Sequence, residues 1–267
     1  MELMSFKIFK KHVYPTYESL KKDLSQNKNL YFSKSYISRN LKKNKIFLSK
    51  KDYDLDYNFI HFVVGLSILK KNFSILDYGA GVGNTYIKFR KKGFQKKNIT
   101  YSIYDQNKEL TNIAEKMIKK SFSSLSKINF YYKFERIKYH DAVHFGSMLE
   151  YVEDYKKLIF SIFKQMKKKP KYIFISDLFG TEQKDFFLIA NYYGHKYFVK
   201  FHNLKNLIST FKKIGYKLIY KNPHLPNIKG NFQFFDMSNL EKKFRIYNTW
   251  NLFFKYETKR KINQKFR

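Results

Sequence analysis

One stretch narrows the fold more than any other: an apolar run that opens into spaced glycines, Phe73-Ser74-Ile75-Leu76-Asp77-Tyr78-Gly79-Ala80-Gly81-Val82-Gly83-Asn84. Its first four residues read as a buried strand. Three glycines at alternate positions let the backbone turn sharply and come close to a ligand. The stretch from Asn84 to Lys92 then reads as a short helix, with Asn84 as its N-cap and Gly93 just past its end. Strand, glycine turn and helix in that order begin a parallel unit.

The same alternation continues along the chain. Ile99 to Tyr104, Ile128 to Tyr132, Ala142 to Ser147, Tyr172 to Ile175 and Tyr216 to Tyr220 read as strands. Lys108 to Lys120 and Asn203 to Ile214 read as helices, the latter closed by Gly215. The clearest helix starts at the cap Asp154, carries Tyr155, Leu158, Ile159, Ile162, Phe163 and Met166 as its apolar stripe, and stops at Pro170. Phe232 to Phe235 and then Tyr247 to Tyr256 read as a last strand reached by a long connection.

Strands separated by helices of about a dozen residues pair in parallel through right-handed crossovers. The fold class is therefore α/β: a doubly wound, mostly parallel, seven-stranded sheet. Tyr57 to Leu69 offers Phe59, Phe62, Val63, Leu66 and Leu69 at helical spacing, whereas the segment before it is polar and weakly helical. This divides the chain into an N-terminal helical extension (1–55), a main domain (56–258) and a basic tail (259–267).

In such a sheet, ligands sit beyond the carboxyl ends of the strands. Asp77, Asp105 and Asp177 each fall at one of those ends, in a chain with only 21 acids among 267 residues. A dinucleotide site wants G-x-G-x-x-G and a helix N-terminus free of negative charge. Here Asn84 stands at the third glycine position and Asp77 beside the loop, which disfavours a pyrophosphate. A cofactor with a cationic ammonium and sulfonium, such as S-adenosylmethionine, suits that acid better. Asp105 can accept both hydroxyls of a ribose, or else cap the helix that begins at Lys108.

The run Asp77 to Gly83, the acid Asp105 and the block Ser147-Met148-Leu149-Glu150-Tyr151-Val152-Glu153-Asp154 together resemble the Rossmann-type S-adenosylmethionine-dependent methyltransferases. More narrowly, residues 14 to 255, with their Tyr14-to-Glu18 opening, resemble methyltransferases encoded in bacterial lipopolysaccharide O-antigen and capsule gene clusters. The resemblance implies that the loop Tyr78, Gly79, Ala80, Gly81 and Gly83 lies under the methionine part of the cofactor, with Asp77 nearby. It implies that Asp105 holds the ribose, that Gln106 and Phe134 flank the adenine, and that Ser147 and Met148 face the methyl donor. The narrower family often has a double glycine where this chain has Gly79-Ala80, and alanine fits there only if its φ is negative.

An oxygen nucleophile also needs a base within hydrogen-bond reach. His195, Asp177 and Glu150 are the candidates. His195 lies in Asn191-Tyr192-Tyr193-Gly194-His195-Lys196-Tyr197, a stretch whose aromatics could stack on sugar faces, and Asp185 to His202 is long enough to form a cap over the strand ends. As a plain alternative, His195 is a surface loop histidine; His144, inside a strand, reads as buried and hydrogen-bonded. None of His140, His202 and His224 reads as part of a metal site, so no metal is expected.

The implied activity is O-methylation of a sugar or glycan, lipid-linked or nucleotide-linked, during cell-surface polysaccharide assembly. Two alternatives stay open: an RNA methyltransferase and a non-catalytic methyltransferase-like scaffold. Lys+Arg 54 against Asp+Glu 21 gives a net charge of +33, which reads either as an anionic partner or as compositional drift toward lysine. The chain has 0 cysteines, which closes the thiolate route to cytosine-C5 methylation, and it lacks the Pro-Pro-aromatic clamp of base-amino methylation. The uncharged stretch is far shorter than the roughly 20 residues of a membrane span, and the start has no signal-peptide layout. These features lead to the expectation of a cytoplasmic bacterial protein, with peripheral contact to the inner face of an anionic membrane left open.

Overall fold

The computed structural model describes residues 7–8, 12–24, 33–49, 72–91, 98–122, 127–192, 195–224 and 237–257. The expected helix at Tyr57 to Leu69, the Phe232 to Phe235 segment, Gly93 and the basic tail lie outside the described residues. Strands β2 (Asn72–Tyr78), β3 (Asn98–Tyr104), β4 (Ile128–Tyr131), β5 (Ala142–Gly146), β6 (Tyr172–Leu178), β10 (Tyr216–His224) and β11 (Thr249–Tyr256) form one seven-stranded sheet in the order β10-β11-β6-β5-β2-β3-β4. β2 to β6 pair in parallel, while β11 runs antiparallel to both β6 and β10. The strand order reverses between β2 and β5, so the ends of these two strands frame a crevice.

Helices cover both faces. On one, α3 (Asn84–Lys91) and α4 (Lys108–Ser121) bury Tyr86, Ile87, Ala114 and Ile118 against Ile75, Tyr101, Ile103 and Phe174. On the other, α5 (Tyr155–Met166) and α6 (Leu204–Lys213) bury Ile159, Ile162, Leu207 and Phe211 against Val143, Ile173, Leu252 and Phe254. Asp154 caps α5 as its sequence suggests, its Oδ1 accepting the Lys156 and Lys157 N–H groups at 2.9 and 3.0 Å. Asn84 does not cap α3. It is that helix's first residue, and its Oδ1 is buried without a hydrogen-bond partner.

A second, smaller sheet stands over the ends of β5 and β6. Its order is β1-β8-β9-β7, from β1 (Lys7–Ile8), β7 (Gly180–Thr181), β8 (Phe186–Tyr192) and β9 (His195–Asn203). The stretch expected as a loop-like cap is therefore a β-hairpin. The reason is two-sided burial: Phe186, Leu188 and Ala190 face one cluster with Val199 and Phe201, while Phe187 and Ile189 face another with Tyr14, Leu20 and Phe198. The N-terminal part closes this second cluster through the Tyr14–Phe187 bridge and the short α1 (Tyr17–Lys21), while α2 (Lys34–Ser49) packs against α3.

His202 ties the small sheet to the turn after β5. Its Nε2 lies 3.0 Å from the Leu149 carbonyl oxygen, which can only accept, so Nε2 carries the proton and Nδ1 is left buried without a partner. Burial first, and then the charge of Lys200, lower its pKa from 6.5 to about 4. The unfolded chain takes up a proton near 6.5 that the folded chain refuses until about 4. This contribution to stability is complete above the higher value and is lost as pH falls between the two, by about 3 kcal/mol in all. His202→Gln should therefore flatten the acid limb of a melting-temperature profile in that window. An unchanged limb would place the acid sensitivity elsewhere.

Candidate active site

The glycine turn after β2 is built from left-handed backbone. Gly79, Gly81 and Gly83 have φ of +72°, +55° and +76°, while Ala80 is not among the residues with positive φ and so fits its position. The Gly79 and Ala80 N–H groups both donate to the Tyr104 carbonyl oxygen, at 2.9 and 3.0 Å, which binds the turn to the end of β3. Asp105, the residue after β3, completes the clamp. Its Oδ2 accepts the Gly81 N–H and its Oδ1 the Asn107 N–H, each at 2.9 Å. Asp105 is thus not the cap of α4; Asn107 is, accepting from the Glu109 and Leu110 N–H groups. Burial raises the Asp105 carboxyl above its ordinary value, and the nearby Asp77 adds to this, against the two N–H bonds that oppose it.

Asp77 is 1% exposed, and both of its oxygens are engaged. Tyr101 Oη donates to Oδ2 at 2.8 Å, and His144 Nδ1 donates to Oδ1 at 2.8 Å. The other ring nitrogen of His144 lies 2.7 Å from Ser176 Oγ, so a buried chain crosses three parallel strands from β2 through β5 to β6. Gly146 makes room for it: a Cβ there would stand 2.8 Å from His144 Cε1. His144 is the buried, hydrogen-bonded histidine that its strand position suggests. Both Asp77 oxygens are thus taken up inside the sheet by Tyr101 and His144.

The ends of β5 and β6 carry two further left-handed residues, Ser147 (φ +48°) and Asp177 (φ +60°), neither of them glycine. Strain of this kind persists only where the surroundings enforce it, and it gathers at functional sites. Ser147 Oγ donates to Asp177 Oδ2 at 2.7 Å, Thr249 Oγ1 donates to Oδ1 at 2.5 Å, and the Asp177 N–H donates to Asn251 Oδ1 at 3.0 Å. Ser147 is exposed and Asp177 half-buried. Sequence reasoning missed Thr249 and Asn251. The available signal was a polar residue at buried positions of an otherwise apolar strand, since both are 0% exposed.

Glu150, on the short turn Leu149–Tyr151, is buried, and its Oε2 has no hydrogen-bond partner. Burial, and then the charge of Asp177, push its carboxyl well above the glutamate range. A carboxyl so placed holds its proton more tightly than an exposed glutamate does. His195 stands apart from both acids. It begins β9, with Nε2 3.2 Å from Ser35 Oγ of α2.

Phe134, the aromatic residue expected beside an adenine, sits in an aromatic cluster. Phe134 lies edge-on to Tyr78 and Tyr104, with ring centroids 6.5 and 6.2 Å apart, and Met148 packs against the same cluster. Gln106 is exposed beside Asp105. Above the turn, a Cβ at Gly81 would meet no atom within 4 Å, while one at Gly79 would touch the Met148 side chain at 3.2 Å. The open space at Gly81 lies beside the half-buried Asp105, whose Oδ2 holds the Gly81 N–H, so a polar group of a ligand there meets a carboxylate.

Among solved structures, an S-adenosylmethionine-dependent methyltransferase from Methanosarcina mazei superposes with a TM-score of 0.51 at 14% identity, covering 72% of this chain and 96% of that one. Magnesium protoporphyrin IX methyltransferase from Synechocystis, bound to S-adenosylhomocysteine, gives 0.53 at 11% identity, covering 83% and 96%. A 1,6-didemethyltoxoflavin N1-methyltransferase from Burkholderia thailandensis gives 0.50 at 10% identity, covering 83% of each chain. At such identities the likeness is one of fold. No curated protein matches the sequence significantly. The sequence model of the methyltransferase domain matches residues 34–221, a span holding the glycine turn, Asp105, Ser147 and Asp177, and on that match the chain belongs to the methyltransferase-domain family.

Proposed function

We propose that the chain transfers a methyl group from S-adenosylmethionine to a hydroxyl oxygen of a sugar or glycan acceptor, lipid-linked or nucleotide-linked, in the assembly of a cell-surface polysaccharide. The observation that carries the reading is the gathering of left-handed residues, unstrained at Gly79, Gly81 and Gly83 and enforced at Ser147 and Asp177, at the neighbouring ends of β2, β5 and β6. When bound, S-adenosylmethionine supplies an electrophilic methyl on a positively charged sulfur.

The chain's own groups divide the remaining work. The Gly79-to-Gly83 turn, with Tyr78 and Ala80, gives the cofactor a close backbone surface, and Asp105 combines clamping of that turn with free lone pairs for ribose hydroxyls. Phe134 and Gln106 border the base, and Met148 lines the turn at Gly79. Asp77 contributes a buried negative charge on the side where a sulfonium would sit. Asp177, fixed by Ser147 and Thr249, is oriented to accept a hydrogen bond from the acceptor hydroxyl and draw off its proton. Glu150 is buried, and burial and then the Asp177 charge raise its carboxyl, so the negative charge of the pair is favoured on Asp177. His195, held against Ser35 of α2, takes no step in the transfer. The sugar acceptor rests on the sequence resemblance, and the hydroxyl chemistry on Asp177.

A labelled methyl-donor assay with lipid-linked and nucleotide-linked glycans tests this reading. We expect the label in the glycan as a methyl ether, and an Asp177→Asn variant that loses about a hundredfold or more in kcat while cofactor affinity changes little. Labelled RNA or amines with unlabelled glycans would overturn the acceptor class alone. No heat and no thermal shift with S-adenosylhomocysteine would overturn the enzyme reading as a whole.

A further inference from the structure

The positive charge of this protein is not spread evenly over its helices. α4 mixes signs: Glu109 and Glu115 stand among its lysines, and Lys119 pairs with Glu115. The layer of α5 and α6 on the opposite face of the sheet has no acid in either helix. Indeed there is no Asp or Glu from Tyr155 to Ser176, or from Phe186 to Phe235. α2 and α3 also hold no acid, so what singles out the α5 and α6 layer is an exposed apolar side chain set among its lysines.

Helical spacing puts the α5 cations on one side. Its apolar stripe faces the sheet, and Lys156, Lys157, Phe160 and Lys164 share the outer side, all exposed. α6 lies beside α5, joined by the Tyr155 Oη to Thr210 Oγ1 hydrogen bond at 3.2 Å, and turns Lys205, Lys212 and Lys213 outward. Among the described residues, none of these six lysines has an acidic partner. Lys167 and Lys168 extend the face past the end of α5.

In the middle of this face stands Phe160, 53% exposed, with Lys156 and Lys164 one turn away on either side. A phenylalanine on the wet side of a helix whose buried side is already complete contributes nothing to the core. An apolar side chain ringed by cations on a convex helical layer fits an anionic lipid surface: phosphates neutralise the lysines and the ring enters the headgroup region. Single-stranded nucleic acid asks instead for several aromatic platforms along a groove, whereas on the outer sides of α5 and α6 Phe160 is the one exposed large apolar side chain among the described residues.

We propose that the outer face of α5 and α6 is a docking surface for an anionic phospholipid bilayer, with Phe160 as its apolar anchor. The surface is separate from the crevice above the strand ends and does not depend on which acceptor is methylated.

The test is co-sedimentation of the full chain with phosphatidylcholine vesicles, with and without phosphatidylglycerol. We expect binding only when phosphatidylglycerol is present, and a steep fall with salt. Lys156→Glu with Lys164→Glu should weaken vesicle binding by about a hundredfold, and Phe160→Ser by about tenfold. Lys116→Glu with Lys120→Glu, the same change in charge on exposed positions of α4, should leave it near the parent value. All sites are exposed, so melting temperatures should stay near the parent's. Equal losses in the α4 control, parent-like binding by the α5 variants, or an α5 face that binds poly(U) or a second copy of the chain in preference to the vesicles would each overturn the proposal.

Discussion

Asp105→Ala should weaken S-adenosylhomocysteine binding by about a hundredfold or more and lower thermal stability at the same time. Two losses combine. The first is loop support: removal of the carboxylate strands the Gly81 and Asn107 N–H groups, at about 1–3 kcal/mol for each that stays unpaired. The second is the pair of ribose hydroxyl contacts, each a hydrogen bond to a charged group worth about 1.5–3 kcal/mol. The sequence alone suggests a residue that binds ligand and leaves the fold untouched, but the geometry gives it both tasks. A cofactor analogue lacking the ribose hydroxyls separates them. Against the parent protein the analogue should bind much more weakly than S-adenosylhomocysteine, and against Asp105→Ala the two should bind alike. Unchanged affinity in the variant, measured by calorimetry, would mean that the ribose lies elsewhere and that the β3 end has been misread.

Much of this arrangement is visible in the chain before any coordinates. β2 to β6 are short apolar runs bounded by turn residues, and the period of 3.6 in α5, with Asp154 before it and Pro170 beyond, leaves little choice of element. The glycine turn is visible because only glycine takes φ near +70° without strain. What is hidden is long-range pairing. Phe186-Phe187-Leu188-Ile189-Ala190 is apolar without alternation, since both faces of β8 are covered, and the strand that flanks it is contributed by Lys7 and Ile8, far away in sequence. His195 meets Ser35 across 160 positions, and His144 meets Asp77 across 67. No local pattern encodes such partners. Left-handed angles at Ser147 and Asp177 are hidden for a related reason: they are imposed by neighbours on β6 and β11 against the residues' own preference.

The buried chain from Asp77 to Ser176 should give the largest stability effect in the molecule, and it separates scaffold from charge. Asp77→Ala removes the acceptor of the His144 Nδ1 and Tyr101 Oη bonds in a region where Asp77 and His144 are 1% and 2% exposed. Leaving two buried donors without their acceptor costs about 1–3 kcal/mol for each, together roughly 10 °C in melting temperature for a chain of this size. Asp77→Asn behaves differently. Its amide oxygen still accepts from His144 Nδ1, and its amide nitrogen can donate to Tyr101 Oη once that hydroxyl turns, so stability should fall by only about 1 kcal/mol. The negative charge, however, is gone. S-adenosylmethionine carries a sulfonium and S-adenosylhomocysteine a neutral thioether, so a buried charge beneath the crevice discriminates between them. In Asp77→Asn the affinity for S-adenosylmethionine should drop by about tenfold relative to S-adenosylhomocysteine, the equivalent of one pKa unit of interaction. If the variant weakens both ligands equally, Asp77 shapes the turn and does nothing for the sulfonium. If it weakens neither while Asp77→Ala unfolds the protein, the acid belongs wholly to the core, where His144 and Tyr101 hold it.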